Sequence, residues 1–236
     1  MRWSKWKDDI NNAIAEMCIQ IIREPLSYFS EADIQQLLVG ELLKIKPLSK
    51  SYPTSVQKGK GSKSTYKTSL VHREYGCKGG RRIDVVVMDP DDVQKIDTVN
   101  LMIGKDYLQS AYAVELGTEK TSDTFAHLQN DLKKLSECSK GTGYLIHFYK
   151  DITQARTGTI TRDKTEEKIH RNFKQVFSEM QIQGIMDVKI LAILLRTYRN
   201  QEKMRGKCEI FNGQEWIKTN VSRDAALRSS ILKQLE

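Results

Sequence analysis

The chain has 236 residues, of which 39% are hydrophobic and 29% are charged, with a formal net charge of +8. The hydrophobic fraction suffices for a packed core, and the mixed charges argue against a disordered or fibrous chain. No apolar run approaches the roughly 20 residues of a membrane-spanning helix, and the N-terminus lacks the apolar core of a secretion signal. The four cysteines show neither a close pair nor zinc-ligand spacing, and they are Cys18, Cys77, Cys138 and Cys208. We therefore expect a globular protein in the reducing cytoplasm, with no membrane partner.

The positive charge is concentrated in one segment. Residues 44–82 contain eleven basic side chains and a single acid, Glu74, whereas the rest of the chain is close to neutral. The central part of this segment is rich in Ser, Gly and Lys, which predicts an exposed basic loop at 46–67. Lysines in such a loop bind polyanions because contacts with phosphates release condensed counterions. A solvated loop without a ligand is the alternative.

Hydrophobic periodicity predicts the order α-α-β-β-β-α-β-α-β. The first helix covers about 5–24 and packs by one face, and the second begins after the N-cap Ser30 and ends near Ile45. A β-meander follows, and then helices and strands alternate to the C-terminus. The meander takes 68–75, 82–88, an apolar stretch near 99–103, and 111–116; the later elements are 122–138, 143–149, 164–180, 188–195 and a short helix at 223–235.

Two carboxylates lie within stretches that belong to the sheet. Asp84 and Glu115 each stand among apolar residues, and alternation along the strand places Asp84 on the same face as Arg82. Two buried carboxylates on adjacent strands repel each other unless a cation lies between them, so this pattern indicates a divalent metal site. The alternative is that Asp84 pairs with Arg81 or Arg82, while Glu115 faces water at a strand end.

A third acid is a candidate ligand on the second helix. Glu41 falls in the stripe formed by Ile34, Leu38 and Ile45, which faces the core. A buried carboxylate needs a partner, and the metal would provide one. A glutamate at the edge of the stripe that reaches solvent is the alternative.

These residues resemble the PD-(D/E)XK nuclease superfamily over about residues 30–150. Glu41 looks like the helix acid of that family, Asp84 like the motif Asp and Glu115 like the motif Glu. The resemblance implies an α/β (α+β) fold with a restriction-endonuclease-like core, in which a mixed β-sheet with an antiparallel meander is flanked by helices. It also implies a single nuclease domain at 1–236, with the core at about 30–150, the basic loop at 46–67 and a C-terminal elaboration at 151–236.

The sequence departs from the family pattern at two positions. Ile83 replaces the motif proline, and Gly117 replaces the motif lysine, which orients the attacking water and stabilises charge on the phosphate. In related folds a neighbouring element can supply the lysine, so the catalytic candidates are Lys133 and Lys120 together with Asp84 and Glu115. Lys134, Arg82 and a purely metal-activated water remain alternatives.

The resemblance implies a Mg²⁺-dependent endonuclease of the type II restriction class, with one or two Mg²⁺ ions per site held by Asp84, Glu115 and Glu41. Such enzymes act as homodimers on double-stranded DNA. The basic side chains near the site are the candidate DNA contacts: Lys58, Lys60, Lys63, Arg81 and Arg82. The alternatives are a catalytically inactive nucleic-acid-binding module on a nuclease fold, or a repair, junction or RNA nuclease.

Overall fold

A computed structural model gives the fold of most of the chain. The described residues are 6–28, 30–58, 62–77, 79–96, 108–119, 124–153, 167–168, 170–176, 178–179, 188–198, 207–211, 215–220 and 224–236. The predicted stretch near 99–103 lies outside them, as do Lys60 and Lys120.

Two helices open the described chain, α1 at Lys7–Arg23 and α2 at Glu31–Leu43. The predicted N-cap of α2 is confirmed, because the Ser30 hydroxyl accepts from the backbone N–H of Asp33 and the Asp33 carboxylate accepts from that of Ser30. The prediction that α1 packs by one face is wrong. Its buried residues occupy most of the helix circumference, because α2 and the C-terminal helix both pack against it.

The basic segment folds as a hairpin and not as the predicted loop. Strand β1, Tyr52–Lys58, pairs antiparallel with β2, Ser62–Thr68, in a separate two-stranded sheet. The Thr, Val and Tyr residues of these strands explain the difference, since β-branched and aromatic residues favour a pleated surface even in a lysine-rich segment. We call these two paired strands, 52–58 and 62–68, together with the segment of chain that joins them, the basic hairpin.

The remaining strands form one mixed sheet of seven described strands, adjacent in chain order. They are β3 Val71–Cys77, β4 Arg81–Val87, β5 Ser110–Glu119, β6 Ser139–Thr153, β7 Val188–Tyr198, β8 Lys207–Phe211 and β9 Trp216–Asn220. β3, β4 and β5 form an antiparallel meander, β6 and β7 continue parallel to β5, and β8 and β9 complete the sheet antiparallel. The predicted mixed sheet with an antiparallel meander is therefore present.

Helices cover both faces of this sheet. Helix α3 is Pro90–Lys95, α4 is Thr124–Cys138 and α5 is Asp224–Leu235. α4 packs on the face of β6 that carries His147, and α1 lies on the opposite face, where its Asn11 accepts a hydrogen bond from the Tyr144 hydroxyl at 2.7 Å. This arrangement explains why β4 is buried on both faces from Ile83 to Val87. The mixed α/β class is confirmed.

The structure joins Cys77 and Cys138, which lie 61 residues apart in the chain, in a disulfide, a bond that the expected reducing cytoplasm does not favour. Cys77 ends β3 and Cys138 ends α4, so packing of α4 beside the meander brings their Cα atoms to 5.9 Å. Cys18 is a buried cysteine of α1 that takes no part in this disulfide. Within the described part of the chain, no helix is long and apolar enough to cross a membrane.

Candidate functional site

Three acids lie in a row across the meander where β4 and β5 separate. The registers pair Arg73 with Val85 and Val85 with Val114, so the next residues, Glu74, Asp84 and Glu115, stand opposite one another. Directly opposite residues of antiparallel strands point to the same face, so the three carboxylates converge. The pairing of β4 with β5 extends from Val87 to Val85 and ends there, which leaves room between the strands at the level of Asp84.

Where the pairing of β4 with β5 ends, the side chain of Asp84 accepts a hydrogen bond from the backbone of β5. Its Oδ2 accepts from the backbone N–H of Leu116 at 2.6 Å, and its Oδ1 accepts from Nε2 of Gln35 at 3.2 Å. The same amide donates to Glu74 Oε1 at 2.9 Å. Burial raises the pKa of Asp84 to about 6, against the lowering effects of the Leu116 N–H and of Lys134. The carboxylate is fixed in position but its charge is poorly compensated.

Glu115 is almost completely enclosed, with 1% of its surface exposed. Its Oε2 accepts from Nζ of Lys134 at 2.6 Å, whereas its Oε1 has no hydrogen-bond partner among the described residues. Burial raises the pKa of Glu115, and the charges of Asp84 and Asp131 raise it further, while Lys134 opposes them. The single ammonium group of Lys134 therefore does not offset the effects of burial and of the neighbouring carboxylates on Glu115. Because Glu115 is buried, the alternative in which it faces water at a strand end is wrong.

Lys134 is held between two acids. Its Nζ also lies 2.9 Å from Oδ1 of Asp131, one turn earlier on α4. Burial alone would lower the pKa of Lys134, but Glu115 and Asp131 outweigh it and raise the value, so the side chain is charged. Oδ2 of Asp131 lies 3.3 Å from Nε2 of both His127 and His147.

The ring of His147 explains why position 117 is a glycine. His147 is fully buried on β6, next to Gly117 of β5, with which it is paired in the parallel register. A Cβ at position 117 would lie 2.5 Å from Cε1 and Nδ1 of this ring, a distance that no side chain tolerates. A lysine at 117 would require the displacement of His147. Lys134 instead brings its ammonium group to Glu115 from helix α4.

Glu41 is buried as predicted, but it lies elsewhere. Its carboxylate accepts from Nε2 of Gln20 at 2.7 Å and from Nζ of Lys44 at 2.6 Å, and it lines a surface cavity with Asp9. On α2 it is six residues beyond Gln35, about 9 Å along the axis and about 120° around it. The structure thus directs Glu41 to α1, away from Asp84.

The structure separates the two lysine candidates on α4. Lys133 is exposed, whereas Lys134 is 19% exposed and contacts Glu115. Among the DNA-contact candidates, Lys58 and Lys63 lie in the basic hairpin, opposite Ser62 and Gln57 respectively. Their contacts with DNA stay predictions.

Both arginine candidates lie at the start of β4. Arg81 donates to Glu137 Oε2 at 2.6 Å, and Arg82 is exposed. Neither pairing proposed for Asp84 as an alternative is present among the described contacts, which link Asp84 to Gln35 and Leu116.

Several residues of the site cannot be singled out from sequence patterns. Glu31 and Gln35 come from the first turns of α2, and Glu74 from β3, where its φ of 49° is a strained conformation for a side chain other than glycine. Asp131 carries a weak signal, since it stands three residues before Lys134, a spacing that pairs opposite charges on a helix. His147 carries none, because a lone histidine in a strand is usually a packed residue.

Glu31 makes the site sensitive to pH. Burial raises its pKa to about 7, and the charges of Asp84, Asp131 and Glu74 add to this effect while Lys134 opposes it. Between its ordinary value of 4.5 and about 7, the folded chain holds a proton that the unfolded chain releases, so the free energy of unfolding falls as pH rises through this window.

We therefore expect Glu31→Gln to flatten the loss of stability between about pH 4.5 and pH 8. A shift of one pKa unit corresponds to about 1.4 kcal/mol, and partial exposure reduces the effect, so the variant should gain about 1–3 kcal/mol relative to wild type across this range. Urea denaturation at several pH values measures it. Parallel stability curves for the two proteins would contradict the assignment.

The acids present fit a divalent cation. Among the described residues no group of three or more His, Cys, Asp and Glu side chains is arranged to hold a metal ion by itself. Mg²⁺ usually binds through one or two carboxylates and takes its other ligands from water and substrate phosphates. Asp84 and Glu115 meet that requirement, because Oε1 of Glu115 is buried without a hydrogen-bond partner in the described structure and the pKa values of both groups are raised.

Comparisons of the chain with known protein families, with curated proteins and with solved structures give no match.

Proposed function

We propose that this chain is a Mg²⁺-dependent endonuclease that hydrolyses phosphodiester bonds of double-stranded DNA. The observation that carries the proposal is the convergence of Asp84, Glu115 and Lys134 where two strands of the meander separate. Two adjacent buried carboxylates can hold a metal that activates water, and a charged lysine can stabilise the phosphate, so the three groups suit phosphoryl transfer to water. Within this class we propose a type II restriction enzyme with a restriction-endonuclease-like core, acting as a homodimer.

Each residue has a role that its contacts support. Asp84 and Glu115 would hold one or two Mg²⁺ ions, whose chemistry is to lower the pKa of a water and to neutralise charge on the phosphate. The Leu116 N–H and Gln35 orient the Asp84 carboxylate. Lys134 keeps its proton between two acids and directs that positive charge at the phosphate, the role that the motif lysine has in the family.

The basic hairpin supports the choice of substrate. In the chain it lies between α2, which supplies Glu31 and Gln35, and β3, which supplies Glu74, and in the fold its first strand packs against α3. Residues 50–67 carry five lysines and no acid. A two-stranded ribbon can enter the major groove of DNA, and Tyr66, which is 48% exposed, and the exposed Lys67 lie on its second strand.

Incubation of the purified protein with plasmid and phage DNA, in Mg²⁺ or in EDTA, tests the function. Discrete fragments that form only with Mg²⁺ are expected. Cleavage confined to nicks, branched DNA or RNA would favour the repair, junction or RNA nuclease. Sedimentation of the protein with and without a cognate duplex tests the homodimer.

A second candidate is a nucleic-acid-binding module without catalysis. The observation that favours it is Gly117, which lacks the motif lysine and whose space is filled by His147. Tight, salt-sensitive DNA binding with no cleavage by the wild-type chain under any metal would select this candidate.

The basic hairpin should contribute salt-dependent DNA affinity that is independent of sequence. Replacement of Lys58, Lys60 and Lys63 by Ala should weaken binding to every duplex alike and reduce the slope of log Kd against log salt by about 0.9 for each phosphate that the variant no longer neutralises. A matched control replaces Lys133, Lys174 and Lys233, which are exposed on helical segments and change the net charge equally. Equal slopes for the two triple variants would exclude a specific role of the hairpin.

A further inference from the structure

We propose that Asp131, held from behind by His147, is a positioning residue that fixes the ammonium group of Lys134 against Glu115. The inference rests on the proposed function, since it concerns how the substitute lysine is kept in its working place. It assigns a purpose to a buried carboxylate, Asp131, and a buried ring, His147, for which the proposed function gives no role.

Lys134 needs a second anchor because its side chain is long and flexible. A motif lysine projects from the same strand as the motif glutamate, so a rigid sheet sets its direction. Lys134 instead reaches Glu115 from a separate helix through a flexible four-carbon stem. Asp131 lies one turn away on the same helix, and its Oδ1, 2.9 Å from Nζ, restrains the ammonium group from the other side.

Asp131 is placed for this role at a considerable energetic cost. It is 1% exposed, and burial of a carboxylate is unfavourable unless charged or hydrogen-bonding groups surround it. Burial would raise the pKa of Asp131, but His147 and Lys134 outweigh burial and hold it below its usual range, so the group is ionised. An ionised Asp131 attracts Lys134 throughout the neutral range.

His147 contacts Asp131 and is itself enclosed. Its Nε2 lies 3.3 Å from Oδ2 of Asp131, a polar contact without hydrogen-bond geometry, and its ring is enclosed by Gly117 and by edge contacts with His127 and Phe173 at 5.6 and 6.2 Å between centroids. The absence of a side chain at position 117 gives the ring its space. The missing motif lysine and its substitute are therefore structurally linked. Glycine at position 117 leaves space for the His147 ring, His147 contacts Asp131, and Asp131 pairs with Lys134.

A double-mutant cycle separates positioning from a structural role. Asp131→Asn keeps the shape and removes the charge, and it should slow single-turnover cleavage at saturating protein by about 10- to 100-fold, because small misplacements of a catalytic group have effects of that size. DNA affinity should change by less than about threefold. In the Lys134→Ala background the same substitution should have no further effect. An equal slowing in both backgrounds would overturn the proposal.

The chemical reactivity of Lys134 gives a readout that does not require cleavage. Under limiting reductive methylation followed by mass spectrometry, Lys134 should be modified at least about tenfold more slowly than the exposed Lys133 in wild type, and Asp131→Asn should remove most of that difference. Unchanged protection of Lys134 in the variant would overturn the proposal even if the wild-type chain cleaves no DNA. A wild-type chain that fails to cleave, with protection abolished in the variant, would instead count against the proposed function alone.

A second pair of variants covers the case in which Asp131→Asn does not fold. His147→Gln retains a neutral polar group beside Asp131, whereas His147→Leu does not. We expect the glutamine variant to keep cleavage rate and Lys134 protection within about threefold of wild type and the leucine variant to lose both. Equal behaviour of the two would contradict the role of His147, and exposed Asn130→Ala on the same helix serves as the matched control.

Discussion

Asp84→Asn and Glu115→Gln should each abolish Mg²⁺-dependent cleavage while they leave DNA affinity within a few fold of wild type. Both substitutions preserve shape and remove the charge that would hold the metal, and loss of metal-based charge stabilisation reduces rates by several orders of magnitude. Isosteric amides are preferable to alanine here, because both positions are buried and a cavity would confuse loss of folding with loss of chemistry. Single-turnover cleavage and equilibrium DNA binding give the two readouts.

Glu41→Gln is the matched control for these variants. Glu41 is a buried acid with a lysine partner, as Glu115 is, but it faces α1 and not the meander. We expect cleavage by Glu41→Gln to stay within about twofold of wild type. If Asp84→Asn or Glu115→Gln retained Mg²⁺-dependent cleavage, that residue would not belong to the catalytic site. If Glu41→Gln lost cleavage, Glu41 would belong to it after all.

Lys134→Ala should slow single-turnover cleavage by about 100- to 1,000-fold, the usual effect of removing a transition-state charge contact. Lys133→Ala, the same substitution one residue away, should keep the wild-type rate because its side chain is exposed. Measurement at saturating protein isolates the chemical step from binding. Substitution of Lys120 completes the set, since it is the other lysine that the sequence pattern indicates.

The comparison of the two neighbouring lysines discriminates among the remaining accounts. A large loss in Lys133→Ala with a normal rate in Lys134→Ala would require α4 to rotate in the complex with DNA. Normal rates in Lys134→Ala, Lys133→Ala and the Lys120 variant would leave Arg82 or a purely metal-activated water as the better explanation.

Sequence patterns located two acids of the sheet, Asp84 and Glu115, but neither Glu74 of the sheet nor the acid of the helix. Asp84 and Glu115 could be chosen because a carboxylate within an apolar strand is unfavourable to bury unless a cation or another partner compensates its charge. The pattern also predicted correctly that Glu41 is buried, since the 3.6-residue period reports burial. It does not report what a residue is buried against. Glu41 therefore contacts Gln20 of α1, whereas Glu31, in the first turn of α2, is the acid that lies close to the charges of the site.

The sequence could not select the lysine for a similar geometric reason. Adjacent residues on a helix differ by about 100° in direction, so Lys133 and Lys134 lie on the two flanks of the apolar stripe of α4. Only the position of Glu115 in the folded sheet decides which flank faces it. His147 and Gly117 meet through the parallel pairing of β6 with β5, and no local pattern encodes that contact.

The disulfide between Cys77 and Cys138 has a consequence for the unfolded chain. The segment that it closes includes β4, β5 and α4, and so it contains Asp84, Glu115, Asp131 and Lys134. When the protein unfolds, these four residues remain within one covalent ring instead of dispersing along an open chain. In the chain-entropy view, closing a loop of this size lowers the entropy of the unfolded ensemble by an amount equivalent to about 4 kcal/mol at 25 °C. The ring shortens the search by which the acids and their lysine find one another again during refolding.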